Sequence, residues 1–297
     1  MRIGRKISEL GARALHAFGD GFADWKGIET RLVVSSGRTG TDFFGNLFNL
    51  PEQGVLAFHE PDPDLFDVGI SGIRRHDSNE ALVRQVRLCR SRQAQRLRNV
   101  DASCYVEANP NLVMLLPALE KAFNGPKIAF LTRDIDSYVV SAYNKSPNGS
   151  GTMFFYGEND HRKRLTPGDV GSDALAGEWV EEWAGCGRAL KIAWWWTYAN
   201  RQILEHLKTN PSAERFYFEK LFDAGSGEFE RLVAFMDFDA RAEALFLERF
   251  QHEVQNKRNS SARVFGSQFD EFESGERTQI LQLTAEVRAE LGYPLSS

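Results

Sequence analysis

The stretch Thr30–Leu50, TRLVVSSGRTGTDFFGNLFNL, opens on a short apolar run, breaks at a glycine turn and resumes with apolar residues at helical spacing. Leu32 to Ser36 reads as a buried strand bounded by Gly37, and from Thr41 the residues Phe43, Phe44, Leu47 and Phe48 share a helical face. A glycine turn between a strand and a helix aims backbone N–H groups and the positive helix end at one point, which suits an anion. Arg38 adds a fixed fork of donors to that turn. Asp42 stands where an anion cradle has no use for negative charge.

The same alternation continues outward. Val55 to His59 reads as a second strand, ending in His59-Glu60-Pro61, where the proline forbids simple continuation. Cys104 to Val106 and Ile128 to Leu131 are two more, separated by a helix from about Asn111 to Phe123, and Arg215 to Phe218 is a fifth. Strands alternating with helices predict an α/β fold, a parallel sheet of about four to five strands flanked by helices. Residues 78–98 read as one amphipathic helix capped by Ser78, with Leu82, Val86, Cys89, Gln93 and Leu97 on one face. Its arginines, with Arg74 and Arg75 before them, form either a solvated face or one for an acidic substrate or partner. Asp134 to Asn144 begins another helix, residues 146–173 form a long turn-rich insertion, and a helix follows over about 175–207. Its tryptophans, Trp179, Trp183 and Trp194 to Trp196, read as core and loop-packing residues.

At 297 residues and 42% hydrophobic, the chain is long enough for one large domain, placed over 30–297. Residues 1–29 form an N-terminal helical extension, with Ile3, Ile7, Leu10, Ala14 and Phe18 at helical spacing. The 36 Lys and Arg against 41 Asp and Glu give a charge of −5, which argues against nucleic acid as a partner, so any anion site is built locally. No segment approaches the roughly 18 apolar residues of a membrane span. Cys89, Cys104 and Cys186 lack metal-ligand spacing and read as unpaired thiols of a reduced compartment; the chain reads as soluble and cytoplasmic. The six histidines have no paired spacing with other ligands, so no metal is expected.

The turn is not a triphosphate loop: that pattern needs G-x-x-x-x-G-K-[ST], whereas Gly37 lies three residues before Gly40, which is followed by Thr41 and Asp42. Nor is it G-x-G-x-x-G. A second segment, Lys127 to Asn144, KIAFLTRDIDSYVVSAYN, runs a strand straight into Arg133 and then a helix carrying Ser141. A strand ending in S-G-R-T-G-T, followed downstream by a strand, an Arg and a Ser, resembles the P-loop-like sulfotransferase family that uses 3′-phosphoadenosine 5′-phosphosulfate (PAPS). The H-E-P at residues 59–61 is similar to bacterial and carbohydrate-directed members.

That resemblance implies a donor loop at Gly37, Arg38, Thr39, Gly40 and Thr41 holding the 5′-phosphosulfate, with Asp42 a departure from the usual Thr or Ser. It implies Arg133 and Ser141 as the 3′-phosphate pair. It places Phe218 beside the adenine and recruits Lys257 and Arg258, in QNKRNSSARVFG, to a closing basic loop; a surface basic pair is the plain alternative for the last two. It implies Glu60 as general base, with His59 as alternate, and Arg38 on the departing phosphate. Since side chains alternate along a strand, His59 and Glu60 are not expected to face the donor together. The expected product is adenosine 3′,5′-bisphosphate (PAP), with no metal, and the acceptor is a glycan, lipid or small-molecule hydroxyl. A PAP- or PAPS-binding scaffold without catalysis is the alternative. Three further readings stay open. Arg133 pairs with Asp134 or Asp136, or binds a ligand. Glu107 orients the acceptor or binds a loop. Asp42 turns away, or faces the anion. Met153, Phe154, Phe155 and Tyr156 are expected to form a lid.

Overall fold

In a computed structural model of the chain, residues 25–145, 155–170, 182–223, 225–255 and 269–294 are described. The expected N-terminal helix, Met153, Phe154, Trp179, Lys257 and Arg258 lie outside them.

The chain builds β1 (Glu29–Ser35), α1 (Thr41–Leu47), β2 (Val55–His59), α2 (Phe66–Arg75), α3 (Asn79–Cys89), α4 (Ser91–Asn99), β3 (Cys104–Ala108), α5 (Leu116–Ala122), β4 (Lys127–Thr132) and α6 (Ile135–Tyr143). After the insertion come α7 (Arg188–Thr209), β5 (Ala213–Tyr217), α8 (Phe218–Leu221), α9 (Glu228–Met236), α10 (Ala240–Gln255) and α11 (Ser274–Glu290). The strands form one sheet, all parallel, in the order β2-β3-β1-β4-β5. This is the expected α/β architecture with five strands.

The central strand explains the layering. Successive side chains of β1 point to opposite faces, so Leu32 and Val34 enter one apolar layer while Val33 enters the other. A strand buried on both faces needs the unbroken apolar run seen in the sequence. Each such side chain contributes about 1.5–3 kcal/mol on leaving water. One layer packs under α2 to α7 and α11, and holds Trp194, Trp195 and Trp196 at 1%, 8% and 0% exposure; the other packs under α1, α9 and α10.

Three boundaries differ from the sequence reading. The helix expected over 78–98 is two helices, with Ser78 capping the first through its hydroxyl to the Ala81 N–H at 3.3 Å. The break falls at Arg90, which is fully buried and forms a two-pronged ion pair with Glu107 of β3, both bonds 2.7 Å. The helix expected over 111–123 starts as a 3-10 turn, Pro110–Met114, before α5. Phe218 begins α8 instead of ending β5.

The arginine-rich face divides: Arg84, Arg92, Arg96 and Arg98 are exposed, as a solvated face requires, while others make contacts within the fold. Arg74 grips Asp169 at 2.8 and 3.0 Å, Arg87 donates to the Ala122 and Lys121 carbonyls, and Arg96 lies over the Phe58 ring. Arg74 and Arg87 thereby tie neighbouring segments of one layer together. The three cysteines are unpaired, and burial pushes the Cys104 thiol up to about 11.

Candidate functional site

The strand order reverses direction at β1: the chain adds β2 and β3 on one side, then β4 and β5 on the other. In open parallel sheets, ligands bind beyond the carboxyl ends of the strands at such a point. A cavity of about 330 Å³ lies there, lined by Ser36, Gly37, Arg38, Gly40, Thr41 and Asp42 from the turn after β1, and by His59 and Glu60 from the end of β2. Asn111, Lys145, Phe155, Arg162, Arg164 and Trp195 complete its walls.

The turn is wound by three consecutive-sense reversals: Gly37, Arg38 and Gly40 have φ of 101°, 57° and 72°. Glycine adopts such angles without steric cost, whereas Arg38 is strained, a feature that clusters at binding sites. Inside the turn, Ser35 Oγ accepts hydrogen bonds from the Gly37 N–H at 3.0 Å and from the Thr39 hydroxyl at 2.7 Å. The Thr39 side chain is therefore fully buried and occupied within the loop, not presented to a ligand as expected. The Ser36 carbonyl accepts from the Tyr138 hydroxyl and the Trp195 indole, both at 2.9 Å.

Arg38 reaches sideways, donating from Nε to Ser141 Oγ at 3.0 Å. Arg133, just past the end of β4, donates from Nε to Ser137 Oγ at 2.9 Å and from Nη1 to the Arg38 carbonyl at 2.5 Å. Thus Arg38, Arg133 and Ser141 come together: Ser141 bonds Arg38, and Ser137, which the sequence reading did not single out, bonds Arg133. Arg133 does not pair with Asp134 or Asp136; Arg288 of α11 takes both, at 3.5 and 3.8 Å. Burial and then Arg38 push the Arg133 guanidinium down to about 10, against the pull of Glu219. It lies 4.6 Å from the centre of the Phe218 ring, which also flanks Gly40. Arg133, Ser141 and Phe218 sit behind Arg38, outside the cavity wall.

At the opposite wall, His59 and Glu60 both line the cavity, contrary to strand alternation. Glu60 lies past the end of β2 with φ 40°, so the backbone turns and brings its carboxylate to 3.7 Å from His59 Nε2. His59 Nδ1 lies 3.0 Å from the Ala108 carbonyl. Burial pushes the Glu60 carboxyl up from its ordinary value, against the pull of His59. Asp42 is exposed and accepts from its helix neighbour Asn46 at 3.3 Å, while still reaching the cavity edge.

Glu107 does not face this cavity. It is fully buried between Arg90, the Tyr105 hydroxyl at 2.5 Å and Asn109 Nδ2 at 2.8 Å; burial works to raise its carboxyl, but Arg90 wins and holds it below the ordinary range. Arg90 also donates to the Pro63 carbonyl at 2.7 Å, and Gln93 to the Asp62 carbonyl at 3.0 Å. The pair therefore braces the loop that follows Glu60. Of the expected lid, Phe155 reaches the cavity, whereas the Tyr156 hydroxyl is tied to the Leu165 carbonyl at 2.8 Å.

Trp195 and Trp196, read only as core residues, hold the site as well: their indoles bond the Ser36 and Arg133 carbonyls. Lys145, Arg162 and Arg164 were missed because a single lysine after a helix and a short basic run in a loop, residues 161–164, carry no spacing signal.

No family model and no curated protein matches the chain. Among solved structures, the chain is similar to the sulfotransferase domain from the curacin biosynthetic pathway at 11% identity and a TM-score of 0.45, over 91% of this chain and 99% of that one.

Proposed function

We propose that the protein is a sulfotransferase, moving a sulfuryl group from PAPS to an acceptor hydroxyl. The observation that carries the reading is the convergence, on one cavity at the carboxyl end of β1, of a glycine turn, Arg38 and Glu60, with Arg133 and Ser141 directly behind Arg38. The residues suit such a donor: burial lowers both guanidiniums and the charge of Arg38 lowers Arg133 further, which an anion relieves. The donor supplies an activated sulfur carrying a good leaving group. Glu60, ionised, takes the proton of the acceptor hydroxyl as its oxygen bonds to sulfur. Arg38 receives the charge of the electron pair that leaves with the 5′-phosphate oxygen when the bridging S–O bond breaks. Arg133, Ser141 and Phe218 hold the remainder of the nucleotide. Asp42, turned onto Asn46, stays at the rim.

The test is ligand choice. PAP at a hundredfold over its Kd stabilises the fold by about 2.7 kcal/mol through mass action. The expected result is a thermal shift with PAP and none with ATP and magnesium; equal shifts overturn the reading. Binding of PAP with no transfer to any member of an acceptor library assigns a scaffold instead.

A further inference from the structure

Lys145 and Ser36 are polar groups of the cavity with no part in the reading above. Lys145 follows the end of α6 and shares the cavity with Arg38 and Glu60. It is half-buried, and among the described residues no carboxylate pairs with its ammonium. Burial and the charge of Arg38 push it down, while Asp42 and Glu60 pull it up, so it stands among the charged groups of the site. Ser36 is 1% exposed, and its hydroxyl, buried at the cavity wall, has no hydrogen-bond partner. Buried hydroxyls are nearly always satisfied, and an orphan on a residue that lines a cavity points to a partner supplied by a ligand. The carbonyl of the same residue is pinned by Tyr138 and Trp195, so the hydroxyl is held in place by two helices.

We propose that Lys145 and Ser36 seat the sulfuryl group of the donor, leaving the 5′-phosphate to Arg38 and the glycine turn. The inference rests on the sulfotransferase reading and divides its donor site into two anion seats. The division has a chemical reason. A sulfuryl group held only by the loop would share its donors with the phosphate it must leave. A separate ammonium and hydroxyl keep its oxygens fixed while the bridging bond breaks. Glu60, in the same cavity, then stands on the side from which an acceptor hydroxyl approaches. Neither Lys145 nor Ser36 gives up a proton in this role; both bind.

PAPS and PAP differ in the sulfuryl group alone, so the ratio of their affinities reads the second seat without any acceptor. Calorimetric titration of the full chain and its variants measures both. Lys145→Met should weaken PAPS roughly tenfold, the scale of one charged hydrogen bond, and leave PAP within about twofold. Ser36→Ala should show the same selectivity with a smaller loss, and Arg133→Ala should weaken both ligands equally. If Lys145→Met weakens both alike, or neither, the second seat is refuted while the sulfotransferase reading stands. If the unaltered protein binds neither ligand, that reading falls and the seat with it.

Discussion

A carboxylate that must ionise to act, yet sits where ionisation is disfavoured, leaves two signatures at Glu60. Its pKa is raised by burial, so transfer should fall in acid at a pH above the ordinary glutamate value of about 4.3. Glu60→Gln should cut turnover about a hundredfold or more while PAP affinity holds. Stability moves the other way. Because the folded pKa is raised, the cost to stability grows as pH rises past the unfolded pKa and is complete above the folded one; below the unfolded pKa both states are protonated and the cost is gone. Glu60→Gln should therefore melt higher than the parent at pH 8, by the order of 1–2 °C, with the gain shrinking toward pH 4. An unchanged difference across that range would show that burial does not control the group. Asp42 is exposed and tied to Asn46, so Asp42→Thr should alter PAP affinity by less than about threefold, the range of surface changes. Strong tightening would mean that Asp42 faces the anion. The motifs pointed to Arg38, Thr41, Asp42, His59 and Glu60, which the fold brings to one cavity. Thr39 misled because a hydroxyl in a loop has the same spelling whether it faces a ligand or Ser35.

Elements were read well where one period dominates and poorly where a single buried contact overrides it. Both strands flanking the site were placed within a few residues. The helix over 78–98 was not, because its amphipathic pattern runs straight through Arg90, and only the partner, Glu107, reveals the break. Removing one member of a buried ion pair strands the other, at about 3–5 kcal/mol. Glu107→Ala should lose that much in chemical denaturation, and the Glu60 loop should loosen with it. A second contact fixes α1 against β2: a Cβ on Gly45 would stand 2.8 Å from the His59 Cβ and 2.9 Å from its backbone nitrogen. Backbone cannot step aside as a flexible side chain can, so Gly45→Ala should cost about 1–3 kcal/mol. A melting temperature equal to that of the parent would show that α1 and β2 slide apart freely.

At the scale of the molecule, the all-parallel sheet followed from alternating strands and helices, and no described helix is long and apolar enough to cross a membrane. The strand order was not legible, since nothing in β1 states which later strands will flank it. That order carries a consequence for synthesis. Leu32 pairs Glu107 on one side and Ile128 on the other, the latter roughly a hundred residues later. At ~5–20 residues per second, translation leaves β1 without its second neighbour for about 5–20 s. During that interval an apolar strand with open edges is a hazard for association with other nascent chains. Ribosome-stalled chains that end before Lys127 should be cut by protease within β1, and chains long enough to release Thr132 should be protected there. The centre of the sheet, first to be made, thus waits for a strand made roughly a hundred residues later.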